Sequence, residues 1–308
     1  MRSLATDWIL HLLFAGVVAT LCGCGTIGRI AVDRVGDALT SGGSTFSSDD
    51  DPDLVREAVP FGLKTYESLL AVSPKHRGLL LAAASGFSAY AYLLEQHAEV
   101  DDLDAASARR LHERAKGLFL RGRDYALRGL ALDHPALPST LTADPARALA
   151  VTQKSDVPFL YWTSIGWAGA IAAAKDDAQL IAELPIAAAA MARVLALDEP
   201  FDRGSAHEFF VTYEGSRPGG DVAAARAHYA RALALSAGER ASLHLALAES
   251  VAVHEQNEAE FRALLARALA VDTDAVPELR VVNRLAQRRA AWLTTQMPFL
   301  FIGAEETK

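Results

Sequence analysis

A four-residue phrase returns five times along this 308-residue chain: Leu70-Ala-Val-Ser73, Leu130-Ala-Leu-Asp133, Leu195-Ala-Leu-Asp198, Leu233-Ala-Leu-Ser236 and Leu269-Ala-Val-Asp272. Each copy puts aliphatic residues ahead of a polar one, as the last turn of a helix does. The last three copies lie 38 and 36 residues apart, and the first two gaps are 60 and 65. A period of that length marks stacked helical hairpins, and the longer gaps leave room for an inserted helix.

The fullest copy is Ala225-Arg-Ala-His-Tyr229-Ala-Arg-Ala232-Leu233-Ala-Leu235, which matches the second half of a tetratricopeptide repeat. Small residues at Ala225 and Ala232 admit a neighbouring helix, while Tyr229, Leu233 and Leu235 fill the space between hairpins. Composition agrees: 51% of residues are hydrophobic, many of them alanine, and strand-like alternation is scarce. Prolines such as Pro52, Pro74, Pro145, Pro158, Pro185 and Pro277 fall at helix ends or first turns. The expected fold class is all-α, with tetratricopeptide-like helical hairpin repeats in a single α-solenoid-type domain.

Helices are expected over 53–72, 76–97, 105–132, 145–152, 158–175, 177–197, 204–213, 221–235, 239–253, 258–271 and 276–296. Ser205-Ala-His-Glu208 fits a capping box, Asn257-Glu-Ala-Glu260 a related cap, and Asp144-Pro145 and Asp156-Val-Pro158 set an acceptor beside a proline-tolerant first turn.

At the front, Trp8 to Leu21 form an apolar stretch of about 14 residues, the length of a secretory signal core and short for a membrane span. Leu21-Cys22-Gly23-Cys24 resembles a bacterial lipobox, which makes Cys24 the lipidation site and the first mature residue. Cys22 would leave with the signal, and a CxC metal or redox pair would lack further ligands. The following stretch, with Ser41-Gly-Gly-Ser44, reads as a tether in which Ile27 to Leu39 can form a short helix. Removing residues 1–23 leaves 285 residues at a formal net charge of −8, since Arg2 and Asp7 cancel. Such an acidic chain without basic tracts is a poor nucleic-acid binder.

Motifs for catalysis or metal binding are missing from the sequence: there is no HExxH, GxSxG, P-loop or GxGxxG. Neither an enzyme nor a cofactor or metal is expected. Three clusters stand out as binding candidates. "FLYWTSIGW" holds Tyr161, Trp162 and Trp167, which cannot share one narrow helical face, so some line a cavity or an interface and the rest the core. Gly166, Ala168, Gly169 and Ala170 beside them permit close helix approach or leave room for a ligand. "SAHEFFVTYEG" holds His207, Tyr213 and Glu214. "LAESVAV" places Glu249 in an apolar helix, facing water, a partner or a polar cavity. Arg284, Arg288 and Arg289, beside Asn283 and Gln287, offer ion-pair partners, and Arg288 joins the candidate list.

Taken in order, the lipobox, "SSDDDPDLVREAVPFGLKTYESLLAVSP", "LLLAAASGFSAYAY", "DVPFLYWTSIGWAGAI", "AHEFFVTYEG" and the closing "LAESVAV", "EFRALLARALAVDTDA" and "LRVVNRLAQRRAAWL" resemble the T-component (TatT) family of lipoproteins associated with tripartite ATP-independent periplasmic (TRAP) transporters. The resemblance covers roughly residues 45–295 and implies a periplasmic, lipid-anchored helical protein. It implies a homotrimer with a pore or cavity through each protomer, and a TRAP solute-binding protein as partner. A small hydrophobic or carboxylated ligand is implied as cargo. The expected organisation is a signal peptide over 1–23, a lipidated tether over 24–51, a repeat domain over 52–297 and a tail over 298–308. Gly25 after the cysteine favours the outer membrane. The alternative is a tetratricopeptide-like envelope scaffold without small-molecule cargo.

Overall fold

The computed structural model describes residues 29–41 and 45–302, and every regular element among them is helical. Helix α1 covers 29–41. It is followed by α2 (Pro52–Val72), α3 (Arg77–Val100), α4 (Ala105–Leu130), the short α5 (Leu137–Leu141) and α6 (Pro145–Ala150), then α7 (Val157–Ala172), α8 (Ala178–Ile181) and α9 (Leu184–Asp198). The C-terminal part comprises α10 (Ser205–Ser216), α11 (Val222–Leu235), α12 (Ala241–Leu247) running into a π-helical turn (Ala248–Ala252), α13 (Glu258–Ala270) and α14 (Arg280–Leu300). The fold of these residues is all-α.

Side-chain acceptors set many of the helix starts. Asp51 accepts from the N–H groups of Asp53 (3.0 Å) and Leu54 (3.1 Å), and Asp104, Asp221 and Asn257 do the same for α4, α11 and α13. Asp144 accepts from the Arg147 N–H ahead of α6, as its place before Pro145 predicts.

Three expectations need correction. No capping box forms at Ser205, because the chain reaches α10 through left-handed Asp202, Arg203 and Gly204, and Glu208 turns toward Arg240 at 3.6 Å. Asp156 faces backward to the Gln153 N–H (2.8 Å) and His134 Nε2 (2.9 Å) instead of capping α7. The helix expected over 177–197 is interrupted before α9, where Pro185 in the first turn has no N–H to give.

All five copies of the repeated phrase lie at the C-terminal ends of helices, those of α2, α4, α9, α11 and α13. Their packing is unequal. Leu70 and Leu130 are buried, Leu195 and Leu233 are half-buried, and Leu269 is exposed.

Helix α3 is central and touches α2, α4, α7 and α14. The α4–α7 approach is close because Gly166 has no side chain: a Cβ there would stand 2.7 Å from the Phe119 carbonyl and 2.8 Å from the Arg123 nitrogen. Gly169 lies under the Phe119 ring in the same way. The small residues of "FLYWTSIGWAGA" therefore bring helices together. Buried apolar residues form two clusters, one from α2 to α9 and one from α11 to α13, with α10 and α14 contributing to both. Helix α14 also returns to α2 and α3, which departs from the neighbour-only contacts of an open repeat stack. Buried Asn283 of α14 supplies the cap that α12 lacks locally, accepting from the Ala241 N–H (3.0 Å) and donating to the Glu239 carbonyl (2.9 Å).

Candidate functional site

Between the two apolar clusters lies a file of charged and phenolic side chains. Tyr92, Glu95 and Glu99 project from α3 at spacings of three and four, which places them on one helix face. Across from them, Arg289 of α14 donates through Nε and Nη2 to both oxygens of Glu249 (2.7 and 2.6 Å), and its Nη1 reaches Glu99. Glu249 owes its position to the π-helical turn, where the Val253 N–H bonds the Ala248 carbonyl at 3.1 Å and one extra residue enters the turn. The turn seats against α10, since Ser250 Oγ would lie 2.5 Å from a Cβ on Gly215.

The file continues toward α7 and α10. Buried Arg240 donates to Asp202 Oδ2 (2.5 Å) and to the Asp202 carbonyl (3.0 Å), with Glu208 at 3.6 Å. Tyr161 stands against this group and packs edge-on to Trp162, with ring centroids 5.1 Å apart. Glu208 joins the two ends, because its charge acts on both Tyr92 and Tyr161.

Electrostatics describe how strongly these groups are desolvated. Burial pushes the Glu95 carboxyl up to about 8, with the charge of Glu99 adding to the effect and Lys175 and Arg289 opposing it. Burial likewise raises the Tyr92 and Tyr161 phenols well above their usual range. Burial opposes the charge on Arg289, but Glu249 and Glu99 outweigh it and hold the guanidinium firmly ionised. Yet Tyr92, Glu95 and Tyr161 all keep part of their surface reachable by water. These groups are therefore desolvated yet not sealed from solvent.

Two of the residues singled out in the sequence, Tyr161 and Glu249, belong to this file at its two ends, and Trp162 lies beside Tyr161. The remaining candidates are dispersed. Trp167 is buried, donates from Nε1 to Glu183 (2.7 Å) and carries the Arg123 guanidinium over its ring at 4.8 Å. His207 joins α10 to α11 through His228 (Nδ1 to Nδ1, 2.7 Å) and donates from Nε2 to the Glu199 carboxylate (3.1 Å). Burial, and then His207, hold the His228 pKa below the usual histidine range, which leaves that ring neutral in the pair. Tyr213 stacks on Phe209, and Glu214 closes the α10–α11 turn by accepting from Arg217 (2.7 Å) and the Asp221 N–H (3.1 Å). Arg288 ties α14 to Asp53 (3.2 Å) and Asp101 (3.1 Å), beside a cavity of about 10 Å³ that Gln96 also lines. That volume holds about one water. Cys24 lies outside the described residues.

Tyr92, Glu95, Glu99 and Arg240 escaped the sequence reading; Glu208 reads there as a capping residue, and Arg289 as an ion-pair partner, which it is. The signal for the first three was present: a tyrosine and two glutamates at spacings of three and four inside an otherwise apolar helix. No group of three or more His, Cys, Asp or Glu suited to a metal occurs among the described residues.

The profile of the TRAP transporter T-component family matches residues 48–301, nearly all of the described chain. The chain belongs to that family. A protein of Treponema pallidum (strain Nichols), itself described as uncharacterized, is 28% identical over 268 residues, covering 83% of this chain and 82% of its own. A T-component is an accessory of a TRAP transport system, which connects this chain with such a transporter and with the cell envelope. The match spans both apolar clusters and the polar file between them, so the file belongs to the T-component region as a whole.

Proposed function

We propose that this T-component is a periplasmic, lipid-anchored accessory protein that docks a TRAP solute-binding protein and holds a small amphiphile between its two apolar clusters. In this reading Cys24 carries the lipid, residues 24–51 are the tether, and 52–297 form a domain of tetratricopeptide-like hairpins. The α10–α11 and α12–α13 pairs, each closed by a copy of the repeated phrase, support the hairpin reading. A homotrimer follows from family resemblance, and Gly25 favours the outer membrane.

The observation that supports the ligand reading is the largely buried polar file. Tyr92 and Tyr161 offer ring faces to an apolar body, while Glu95, Glu249 and Arg289 orient a polar group. Buried charge of this density is costly to maintain for stability alone.

Native mass spectrometry on the chain with residues 1–24 replaced by a cleavable secretory signal, taken without detergent from a periplasmic extract of its host, tests the proposal. A trimer carrying a small ligand or a solute-binding protein is expected, with ligand occupancy lowered by Tyr161→Ala while helicity persists. A bare monomer, or one bound only to envelope-assembly proteins, would favour the scaffold reading.

A further inference from the structure

A second cavity, separate from the polar file, opens between α11 and α13 with a volume of about 180 Å³. Its apolar wall is made by Tyr229, Leu247 and Leu264, all largely buried. A dry cavity of about 150 Å³ is enough for a benzene ring, so this one takes a six- to eight-carbon body.

Charge at the rim is uneven. Arg226 donates to both oxygens of Glu260 (2.5 and 2.8 Å) and, away from the cavity lining, to Glu255 (2.6 Å). Glu260 also accepts from Asn257 Nδ2 at 3.2 Å, so its oxygens are taken. Arg267 makes no ion pair within 4.0 Å among the described residues. Behind the Tyr229 wall, His244 is buried and shares a 2.8 Å hydrogen bond through Nδ1 with the Tyr229 hydroxyl. Burial, then the Arg267 charge, push this imidazole down to about 4, so the partner of the Tyr229 hydroxyl behind the lining is neutral near pH 7. The lining thus offers one guanidinium with free donors above an aromatic and aliphatic wall.

We propose that this cavity binds a compact organic monocarboxylate, with the carboxylate on Arg267 and the apolar body against Tyr229, Leu247 and Leu264. A guanidinium fork matches a carboxylate in geometry and charge. The proposal is independent of the ligand reading for the polar file, and its variants touch none of that file's residues.

Isothermal titration of the full-length protein with benzoate near pH 7 tests it, with benzamide and benzylamine as neutral and cationic counterparts. Saturable benzoate binding with Kd on the order of 1 mM or tighter is expected for a ligand of this size. Benzamide should bind at least about tenfold more weakly and benzylamine not at all. Arg267→Gln should weaken benzoate by a similar factor, and Ala263→Phe, which fills the cavity mouth, should remove binding while circular dichroism stays that of the parent. No saturable benzoate binding by the parent protein would overturn the proposal. So would equal affinity in both variants, or benzamide binding as tightly as benzoate.

Discussion

Arg289 grips Glu249 through two parallel hydrogen bonds of 2.7 and 2.6 Å, and with its remaining nitrogen it holds Glu99 on a third element. One guanidinium therefore ties α3, the π-helical turn and α14 together across the boundary between the two cores. Removing a partner from such a cluster costs more than the pair contributes, because the carboxylates stay behind without a countercharge.

Arg289→Met is accordingly expected to destabilise the fold by about 3 kcal/mol, or roughly 5–10 °C in Tm. Arg289→Lys should recover only part of this, since an ammonium cannot match a carboxylate in the same forked geometry. Adding Glu249→Gln to Arg289→Met should restore some stability by removing one stranded charge. Thermal denaturation of the three variants decides the matter; a change in Tm below about 1 °C for Arg289→Met would mean the clamp is solvent-screened.

Glu95 makes stability depend on pH in a defined direction. Its carboxyl titrates near 8 in the folded chain against 4.5 for a free glutamate. Between those values the native state holds a proton that the unfolded chain has released, so stability falls as pH rises through this window. The contribution is complete below about 4.5 and gone above about 8. Glu95→Gln should flatten this decline and exceed the parent protein by about 2 kcal/mol at pH 8.5. Urea denaturation at pH 5, 7 and 8.5 reads the slope, and parallel profiles for the two proteins would remove Glu95 from the account.

Gly166 and Gly117 form a matched pair. An added methyl at Gly166 meets backbone atoms of α4 at 2.7 and 2.8 Å, whereas one at Gly117 meets nothing within 4 Å. Gly166→Ala should cost about 2 kcal/mol by forcing α4 and α7 apart. Gly117→Ala should gain about 0.5–1 kcal/mol from helix propensity alone. Equal effects of the two substitutions on the urea midpoint would show that the helix contact is not tight.

Cys24→Ser addresses the proposed anchor. The variant should move from the membrane fraction to the soluble periplasmic fraction, since covalent acyl chains are what hold such a protein at a bilayer. Retention of the variant at the membrane, with an intact N-terminus by mass, would replace the lipid with the apolar segment itself.

The all-helical fold was legible in the sequence, and so were the five helix ends marked by the repeated phrase, because both are written in local residue chemistry. Asn257 and Asp144 could be recognised as caps for the same reason. The break at Pro185 divided a helix that periodicity alone joins. Nonlocal pairing was harder to read. Arg288 and Arg289 are adjacent and chemically identical, but one residue along a helix is a rotation of about 100°. That rotation aims Arg288 at Asp53 and Asp101, and Arg289 into the file with Glu249 and Glu99. Tyr161, Trp162 and Trp167 diverge similarly: α7 is covered by α3, α4 and α9, and its aromatic residues leave in different directions. The π-helical turn, which re-aims Glu249, has no sequence signature as plain as a proline or a cap.

The segment just before α2 is bonded to the start of α14: the Val281 N–H donates to the Ser47 carbonyl at 3.1 Å, and Arg280 donates to the Ser48 carbonyl at 2.6 Å across 232 residues of sequence. Arg289 sits on that same helix, little more than two turns further along. A force applied through the N-terminal segment therefore reaches the helix bearing Arg289 by a short mechanical route, bypassing the hairpins in between. Tension on the proposed anchor and a ligand at the proposed interior site would thus act on one and the same helix.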